Sequence, residues 1–400
     1  MLIDTILVLA GGDGDRFAPL LHKMTYRFNG KPLIAHIIDG VKQYGKKVVV
    51  VSSEANRAML GDLLAEYSVQ FAVQTSDKGG MADAVLASKQ FITGGLLLLN
   101  ANDLFDFAII PQLIKTTQSA QAKFGFVAKH MNTYFPGGYV QFENDTPVAI
   151  LEKPGAGKEP SHYVRLVVDY YPDGNIFIDA LSRLQTSDDQ YETAMTTVMQ
   201  NYPSVCIKYE GDWATLKYSW HVLEMQKYIF RHMVTTSVEK LGEIHPTAQI
   251  EGEVYIGKNS KVGAFVKMSG PCYVGENVIV GDHSLVRQST LCNNVVVGSG
   301  CEVARSYLNE GVMLHRNYVG DSILGNNTTM GAGAVTANYR FDAKTIQTPI
   351  KDAMIETNKE KLGLITGSNV KIGVNACTYP GVKLTEGVVV LPGEVVKKDK

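Results

Sequence analysis

The stretch from Ile250 to Val286 reads IEGEVYIGKNSKVGAFVKMSGPCYVGENVIVGDHSLV, and an aliphatic residue recurs in it at every sixth position. These positions are Ile250, Ile256, Val262, Met268, Val274, Val280 and Val286. An α-helix repeats about every 3.6 residues and a half-buried strand about every second residue, so neither explains this interval. The interval is typical of a hexapeptide β-helix, in which three short strands form one triangular coil and aliphatic side chains stack inside.

The same pattern continues towards the end of the chain. It resumes, after breaks, at Val297, Val303, Leu324, Met330, Ile372, Val382 and Val388. We therefore predict a β-helix domain over residues 244–400. A helical pattern at Leu223–Val238 precedes it, and we expect a helical linker over residues 226–243.

The first 225 residues have a different pattern, in which apolar strand-like runs alternate with helical stretches. The runs are Ile6–Leu9, Val48–Val51, Phe71–Val73, Leu96–Leu99, Phe124–Val127 and Val148–Leu151. Helix candidates between the early runs are Pro32–Tyr44, Ala55–Tyr67 and Ala82–Phe91. This alternation predicts an α/β domain over residues 1–225, Rossmann-like, with a doubly wound and mostly parallel sheet.

A glycine-rich turn, LAGGDGDR at Leu9–Arg16, follows the first apolar run. Glycine lets backbone N–H groups approach phosphate oxygens, and Arg16 would add positive charge. Asp103 follows the run Leu96–Leu99, so it falls at the same edge of the predicted sheet, where ligands of such sheets collect. The turn thus predicts a nucleotide site, with an ordinary tight turn as the alternative.

Composition excludes several classes of protein. The 400 residues are 45% hydrophobic and 20% charged, as in ordinary globular proteins, and suffice for two domains. A formal net charge of −2 gives no electrostatic reason to expect nucleic acid or an anionic membrane as partner. No apolar run approaches the ~18 residues of a membrane span and no signal peptide is recognisable, so we expect a cytoplasmic protein. The five cysteines have no CxxC spacing, so we expect small buried side chains rather than disulfides or a zinc site.

Further motifs in the first domain lie in an order that is found in a known family. After the glycine turn come Lys23, Gly30-Lys31-Pro32-Leu33, Gln74, Gly80–Val85, Asn102-Asp103 and Glu152-Lys153-Pro154. The second half adds Arg287, the segment LHRNYVGD at Leu314–Asp321 and the segment GAGAVTANYRFD at Gly331–Asp342. Over nearly its whole length the chain resembles the bifunctional sugar-1-phosphate nucleotidylyltransferases with a left-handed β-helix acetyltransferase domain. Bacterial N-acetylglucosamine-1-phosphate uridylyltransferases and their archaeal relatives are examples.

The resemblance implies a first reaction in the N-terminal domain, in which a sugar-1-phosphate oxygen attacks the α-phosphorus of a nucleoside triphosphate and pyrophosphate leaves. Arg16 and Lys23 would be catalytic, holding the triphosphate, and Asp103 would bind Mg²⁺. The implied nucleotide-binding residues are Gly11, Gly12, Gly14, Gln74 and Gly80. Gly138, Glu152 and Lys153 would bind the sugar phosphate.

The resemblance implies a second reaction in the β-helix, acetyl transfer from acetyl-coenzyme A to the amine of an amino-sugar phosphate. The amine must lose a proton, and a histidine side chain can accept it, which makes His315 the candidate base. Arg287, Tyr318 and Asn338 would bind the sugar phosphate. Related domains place this site between subunits, so we expect a homotrimer or a higher homo-oligomer.

Several positions differ from the family's pattern. Asp15 replaces a threonine, Thr215 stands where a second metal ligand is expected, and Arg165–Tyr170 occupies the place of an Asn-Ala-Gly segment. Ala304 takes the place of a phosphate-binding lysine, with Arg305 adjacent. Two alternatives therefore stay open. One is an acetyltransferase whose N-terminal domain only binds a nucleotide sugar, and the other is a non-catalytic regulatory or assembly protein.

Overall fold

The computed structural model describes residues 2–12, 14–75, 80–233, 240–351 and 353–400. The chain forms two compact units, one of Met1–Asp13 with Pro32–Trp213 and one of Gly14–Lys31 with Ala214–Lys400. The second part of the glycine-rich turn and the loop after it thus belong to the same unit as the β-helix. The boundaries expected at residues 225 and 244 stay predictions, and residues 234–239 of the expected linker lie outside the described residues.

The first unit is built on a nine-stranded sheet. Its strands are β1 (Thr5–Leu9), β2 (Val48–Ser53), β3 (Val69–Gln74), β4 (Leu96–Asn100), β5 (Phe124–His130), β6 (Gly138–Glu143), β7 (Thr146–Glu152), β8 (Tyr163–Tyr171) and β9 (Ser204–Tyr209). They lie in the order β7-β6-β8-β4-β1-β2-β3, and β5 pairs with β8 and β9. All six predicted strand-like runs lie within these strands.

The sheet is mixed rather than mostly parallel. Strands β4, β1, β2 and β3 are parallel, whereas β8 runs antiparallel to β4, β5 and β6. Strands β4, β1 and β2 are nearly continuous apolar runs because both of their faces are covered, whereas the edge strand β3 is only partly buried. The sequence pattern missed β8, because Arg165 and Asp169 interrupt its apolar run.

Seven α-helices occur among the described residues. They are α1 (Leu33–Val41), α2 (Glu54–Leu63), α3 (Met81–Ala87), α4 (Ile109–Ser119), α5 (Asn175–Ser182), α6 (Gln190–Asn201) and α7 (His221–His232). The first three confirm the predicted helices, but each is shorter than predicted, and α2 and α3 begin one residue earlier. The ends of two of these predictions are short 3-10 turns, Lys42–Tyr44 and Lys89–Phe91. A capping box between Ser53 and Asn56 fixes the start of α2. None of the described helices is both long and apolar enough to pass through a bilayer.

The predicted left-handed β-helix is confirmed as three parallel sheets of very short strands. One sheet contains Glu243–Ile244, Lys261–Val262, Ile279–Val280, Val296–Val297, Met313–Leu314, Thr329–Met330, Lys371–Ile372 and Val389–Val390. The second contains Gln249–Glu251, Lys267–Ser269, Leu285–Arg287, Glu302–Ala304, Tyr318–Gly320, Val335–Thr336, Cys377–Thr378 and Val395–Val396. The third contains Val254–Ile256, Cys272–Val274, Thr290–Leu291, Tyr307–Leu308, Ile323–Leu324, Ile365–Thr366 and Lys383–Leu384.

Aliphatic side chains from successive coils fill the inside of the β-helix. Val262, Val280 and Val297 are in register on neighbouring strands, and all three are buried. Burying such side chains stabilises the fold by about 1.5–3 kcal/mol each. The long break in the interval after Met330 reflects an insertion between Thr336 and Ile365, which contains a hairpin of Gln347–Ile350 and Ala353–Glu356.

The remaining short strands are Arg27–Phe28, Lys31–Pro32, Asp103–Phe105 and Trp213–Thr215. All five cysteines are free thiols. Cys272, Cys292 and Cys301 are buried as predicted, and Cys206 and Cys377 are half-buried.

Candidate functional site

The first half of the glycine-rich turn lies against Gln74. A Cβ atom on Gly11 would come within 2.7 Å of the Gln74 Oε1, so only glycine leaves room for this side chain. Gln74 is buried, and its Nε2 donates a hydrogen bond of 3.2 Å to the Gly80 carbonyl oxygen. Gly80 has a φ of 122° at the start of α3, a conformation that favours glycine. The structure thus brings together three predicted nucleotide-binding residues, Gly11, Gln74 and Gly80.

The second half of the turn lies with Lys23 in the other unit. Gly14 has a φ of 76°, and a Cβ atom there would be 2.9 Å from the Lys23 Cε. Arg16 is exposed in the 3-10 turn Asp15–Phe17, and Lys23 begins the 3-10 turn Lys23–Thr25. Gly12 has open space around the position of a Cβ atom. Gly14 and Lys23 are therefore adjacent.

Asp103 is the predicted Mg²⁺ ligand, and it is buried at the start of the short strand after β4. The Asn100 Nδ2 lies 3.5 Å from the Asp103 Oδ2. The neighbouring Asn102 Oδ1 is buried and has no hydrogen-bond partner among the described residues. Within the described part of the chain, no group of three or more His, Cys, Asp or Glu side chains forms a metal cluster. One carboxylate and one amide oxygen still fit Mg²⁺, because this ion is usually held by one or two carboxylates together with substrate phosphates and water.

The predicted sugar-phosphate residues of the first unit lie on the β6–β7 hairpin. Gly138 is paired with Glu152 in the ladder, and a Cβ atom on Gly138 would be 3.3 Å from the Glu152 Oε2. The Lys153 Nζ lies 2.7 Å from the Glu152 Oε1. Gly138, Glu152 and Lys153 therefore form one cluster, in which a buried glycine lies next to a carboxylate and an ammonium group.

A buried charged cluster, which the sequence analysis did not identify, lies beside this hairpin. The Arg165 Nη2 is 3.3 Å from the Asp169 Oδ2 and the Arg165 Nη1 is 3.5 Å from the Glu192 Oε1, with all three side chains at most 5% exposed. Tyr191 donates a hydrogen bond of 2.7 Å to Asp169. The Glu192 Cγ lies 3.7 Å from the position of a Cβ on Gly138, so the cluster borders the sugar-phosphate residues.

Charges within this cluster affect each other. Burial raises the pKa of Glu192, Arg165 opposes that effect, and Glu152 adds to it. Burial alone would lower the pKa of Arg165, but the negative charges of Asp169 and Glu192 raise it, so the guanidinium stays charged. The sequence does contain an indication of this cluster. Arg165 and Asp169 are oppositely charged and lie four positions apart in the otherwise apolar run YVRLVVDYY.

The predicted acetyl-transfer residues surround the strand Tyr318–Gly320. The Asn338 Nδ2 donates to the Tyr318 hydroxyl at 3.3 Å and to the Asp321 Oδ2 at 2.5 Å. A Cβ atom on Gly320 would lie 2.5 Å from the Tyr318 hydroxyl and 2.7 Å from the Asn338 Nδ2, so a glycine is needed here. Arg305 donates to both carboxylate oxygens of Asp321, at 2.7 and 2.6 Å. The structure therefore joins Tyr318 and Asn338 in one network.

Arg287 and His315 lie near this network but bond differently. Arg287 is two strands away from Gly320 in the register, and its Nη2 donates to the Glu302 Oε1 at 2.6 Å. His315 is exposed just before the strand, and its backbone N–H donates to the Asn317 Oδ1. Ala304 is fully buried, so the neighbouring Arg305 is the cation that this part of the coil presents.

Both halves of the chain match known protein families. Residues 5–216 match the nucleotidyl transferase family model, and residues 253–288 match the model for six repeats of the bacterial transferase hexapeptide. A bifunctional sugar-1-phosphate nucleotidylyltransferase/acetyltransferase from Sulfurisphaera tokodaii is 27% identical, and the alignment covers 98% of this chain and 97% of the relative. These matches confirm the predicted combination of a nucleotidyl transferase with a hexapeptide-repeat transferase.

Two further relatives carry the name bifunctional protein GlmU. The protein from Methanocaldococcus jannaschii is 27% identical, with 94% of this chain and 91% of the relative covered. The protein from Thermosipho melanesiensis is 26% identical, with 96% and 92% covered. Since the first family model spans more than half of the 400 residues, the chain belongs to the nucleotidyl transferase family, with hexapeptide repeats following its nucleotidyl transferase domain.

Proposed function

We propose that the chain is a bifunctional enzyme that makes a nucleotide sugar from a sugar-1-phosphate and also acetylates an amino-sugar phosphate, in the manner of an enzyme for UDP-N-acetylglucosamine. One observation supports this proposal in each half of the chain: expected site residues lie against a glycine, at a place where any larger residue would collide with them. Gly11 admits Gln74, and Gly320 admits Tyr318 and Asn338. The relatives that match almost the whole chain have names containing both activities or the name GlmU.

In nucleotidyl transfer, an oxygen of the sugar phosphate forms a bond to the α-phosphorus while the bond to the departing pyrophosphate breaks. Catalysis of this step consists mainly of alignment and charge stabilisation. Gln74 and the glycine turn would hold the nucleotide, Lys23 and Arg16 would hold the triphosphate, and Glu152 and Lys153 would orient the sugar phosphate. Mg²⁺, held by Asp103 and the Asn102 oxygen, would neutralise phosphate charge when bound.

In acetyl transfer, the sugar amine attacks the thioester carbonyl carbon of acetyl-coenzyme A. A carbon–nitrogen bond forms, the carbon–sulfur bond breaks, and the thiolate leaves and takes up a proton. We propose that His315 accepts the proton of the amine and that Tyr318, Asn338 and Arg287 hold the sugar phosphate. The exposure of His315 in a single chain supports a site that a second subunit completes.

We also propose a homotrimer or a higher homo-oligomer, located in the cytoplasm. Outward-facing residues of the first β-helix sheet support the oligomer. Ile279 and Met313 are 47% and 46% exposed, and they flank Val296 in the register. An exposed apolar stripe of this kind is typical of a surface that packs against another protein surface.

A second candidate is acetyl transfer alone, with the first unit binding a nucleotide sugar without making one. The buried Arg165 cluster favours it, since charged groups occupy the place of the family's Asn-Ala-Gly segment. One experiment separates the two candidates. Pyrophosphate release is measured with UTP, dTTP and several sugar-1-phosphates, and acetyl transfer to glucosamine-1-phosphate is measured with the same preparation. Turnover in both assays supports the bifunctional enzyme, turnover only in the second supports the alternative, and turnover in neither contradicts both.

A further inference from the structure

A cavity of about 250 Å³ lies between α7 and the coils of the β-helix. Gln226, Lys227 and Arg231 of α7 line one side, and Gln288 and Arg305 line the other. None of these residues takes part in either reaction as proposed above. The two coil residues, Gln288 and Arg305, stand at bends of neighbouring coils, with φ values of 50° and 51°.

The lining of this cavity has an excess of positive charge. It contains Lys227, Arg231 and Arg305 and no carboxylate among the described lining residues, and the charge of Arg305 is balanced by its salt bridge with Asp321, which lies outside the lining. The nearby Asp321 already accepts two hydrogen bonds from Arg305 and one from Asn338. Charges of one sign around a partly enclosed space attract a counter-ion strongly, because little water screens them there.

The electrostatics of Lys227 agree with that description. Burial lowers the pKa of Lys227, and the positive charges of Lys359 and Arg305 lower it further, against the opposing effects of Asp321 and Glu224. An anion in the cavity would relieve the repulsion between these cations. Binding would thereby favour the charged form of Lys227.

One hydrogen-bond acceptor in the lining is unsatisfied. Gln226 is only 3% exposed, and its Nε2 donates to the Gln288 carbonyl oxygen at 3.1 Å. The Gln226 Oε1 is buried and has no donor among the described residues. A buried acceptor in this state is costly, so a ligand hydroxyl group that donates to it would bind favourably.

We propose that this cavity is a binding site for a phosphate group carried by a small molecule. Arg231 carries a planar guanidinium that matches phosphate oxygens, Lys227 supplies a compact positive charge, and Gln226 accepts from a phosphate or sugar hydroxyl. Arg305, whose Nε and Nη2 donate to Asp321, borders the site beside them. The volume is slightly below the ~300–1,000 Å³ of sites for drug-sized ligands, so a phosphate with a small substituent fits and a whole dinucleotide does not. The pair Arg305–Asp321 connects the cavity to Asn338 of the acetyl-transfer network.

The first test is direct binding of inorganic phosphate to the full chain by isothermal titration, with chloride used to hold the ionic strength constant. We expect Lys227→Gln and Arg231→Gln each to weaken this binding about ten-fold, which is the loss of one charge-assisted hydrogen bond. Lys258→Gln, an exposed position elsewhere on the β-helix, is the matched control and should bind as the parent protein does. Binding that is weakened in Lys227→Gln and Arg231→Gln but kept in Lys258→Gln assigns the phosphate to the cavity rather than to positive charge elsewhere on the chain.

Steady-state kinetics of acetyl transfer identify the molecule that carries the phosphate group. A higher KM for glucosamine-1-phosphate in Lys227→Gln assigns the cavity to the acceptor substrate, and a higher KM for acetyl-coenzyme A assigns it to coenzyme phosphates. Lost phosphate binding with both KM values unchanged assigns it to a separate phosphorylated effector. The binding measurement needs neither activity, so it is independent of the proposed function. Absence of phosphate binding in the parent protein, or equal binding in parent and both α7 variants, would overturn the proposal.

Discussion

The phenolic oxygen of Tyr307 in the β-helix donates a hydrogen bond of 2.7 Å to the carbonyl oxygen of Arg27, in the loop that contains Lys23. The ring centroids of Tyr26 and Phe28 each lie 5.7 Å from that of Tyr307, so the loop also packs on this coil. Burial raises the pKa of Tyr307 well above its usual value, which keeps the hydroxyl available as a donor. The β-helix thus anchors residues that are expected to hold the triphosphate.

Tyr307→Phe removes only the anchoring hydroxyl group and keeps the ring. We expect the free energy of unfolding to fall by about 1 kcal/mol, mainly the net value of the hydrogen bond to Arg27, with the weak bond from the Cys292 thiol also lost. The kcat/KM of nucleotidyl transfer should fall about five-fold because Lys23 is held less firmly, while acetyl transfer is unchanged. Urea denaturation and both assays measure this, with Tyr379→Phe at an exposed position as the control. Unchanged nucleotidyl transfer in a destabilised Tyr307→Phe protein would show that the anchor is only structural.

The β-helix could be predicted from the sequence because its repeat is local. Each buried aliphatic residue, such as Val262 or Val280, lies in register with its equivalents in the neighbouring coils. The six-residue interval between such residues is therefore sufficient to predict the β-helix. The resemblance named Gly11, Gln74 and Asn338 as site residues, but the contacts of Gly11 with Gln74 and of Gly320 with Asn338 were not predicted. Their partners, Gln74 and Asn338, are brought near by strand pairing that no local pattern specifies.

Three features could not be predicted, for different physical reasons. Strand β8 contains Arg165 and Asp169, and charged side chains are normally predicted to be exposed. Their burial becomes understandable only once their salt bridge is known. The assignment of Gly14–Lys31 to the second unit depends on long-range contacts such as Tyr307 with Arg27. The cavity at Lys227 requires α7 and the coil bends to meet, and hydrophobic periodicity describes each of them only separately.

Glu192→Gln tests the charged cluster next to the sugar-phosphate residues. The pKa of Glu192 is raised in the folded state, so the folded protein binds this proton more tightly than the unfolded chain. Its contribution to stability is therefore fully present below the ordinary pKa of about 4.5 and is lost as pH rises through the raised value. We expect urea denaturation at several pH values to show this loss in the parent protein and a flatter profile in Glu192→Gln. The same slope in both proteins would assign the pH dependence to other groups.

His315→Ala tests the proposed base of acetyl transfer. Removal of a general base typically lowers kcat by about 10²–10⁴-fold, and we expect a loss in this range with little change in pyrophosphate release. His245→Ala, at an exposed position near the start of the β-helix, is the matched control. Acetyl transfer by His315→Ala at the parent rate would exclude this residue as the base.

Gly11→Ala tests the contact between the glycine turn and Gln74. The added Cβ would lie 2.7 Å from the Gln74 Oε1, closer than carbon and oxygen atoms can approach, so Gln74 must move. We expect the Kd for a nucleoside triphosphate such as UTP to rise about ten-fold, equivalent to about 1.4 kcal/mol. Gly95→Ala is the control in the same unit, because its Cβ would meet the nearest atom at an ordinary 3.6 Å. Equal triphosphate binding by both variants would remove Gln74 from the proposed site.

Met313→Glu tests the proposed oligomer through the apolar stripe of the first β-helix sheet. Met313 is in register with Val296, which is in register with Ile279, so a carboxylate at this position would be buried without a partner if copies pack on this face. Burying an unpaired charge is strongly unfavourable, and the variant should therefore dissociate. Light scattering after size exclusion should give about three times the chain mass of 43.7 kDa for the parent protein and a single chain mass for Met313→Glu. Lys258→Glu should remain assembled, whereas a monomeric parent protein would contradict the shared acetyl site.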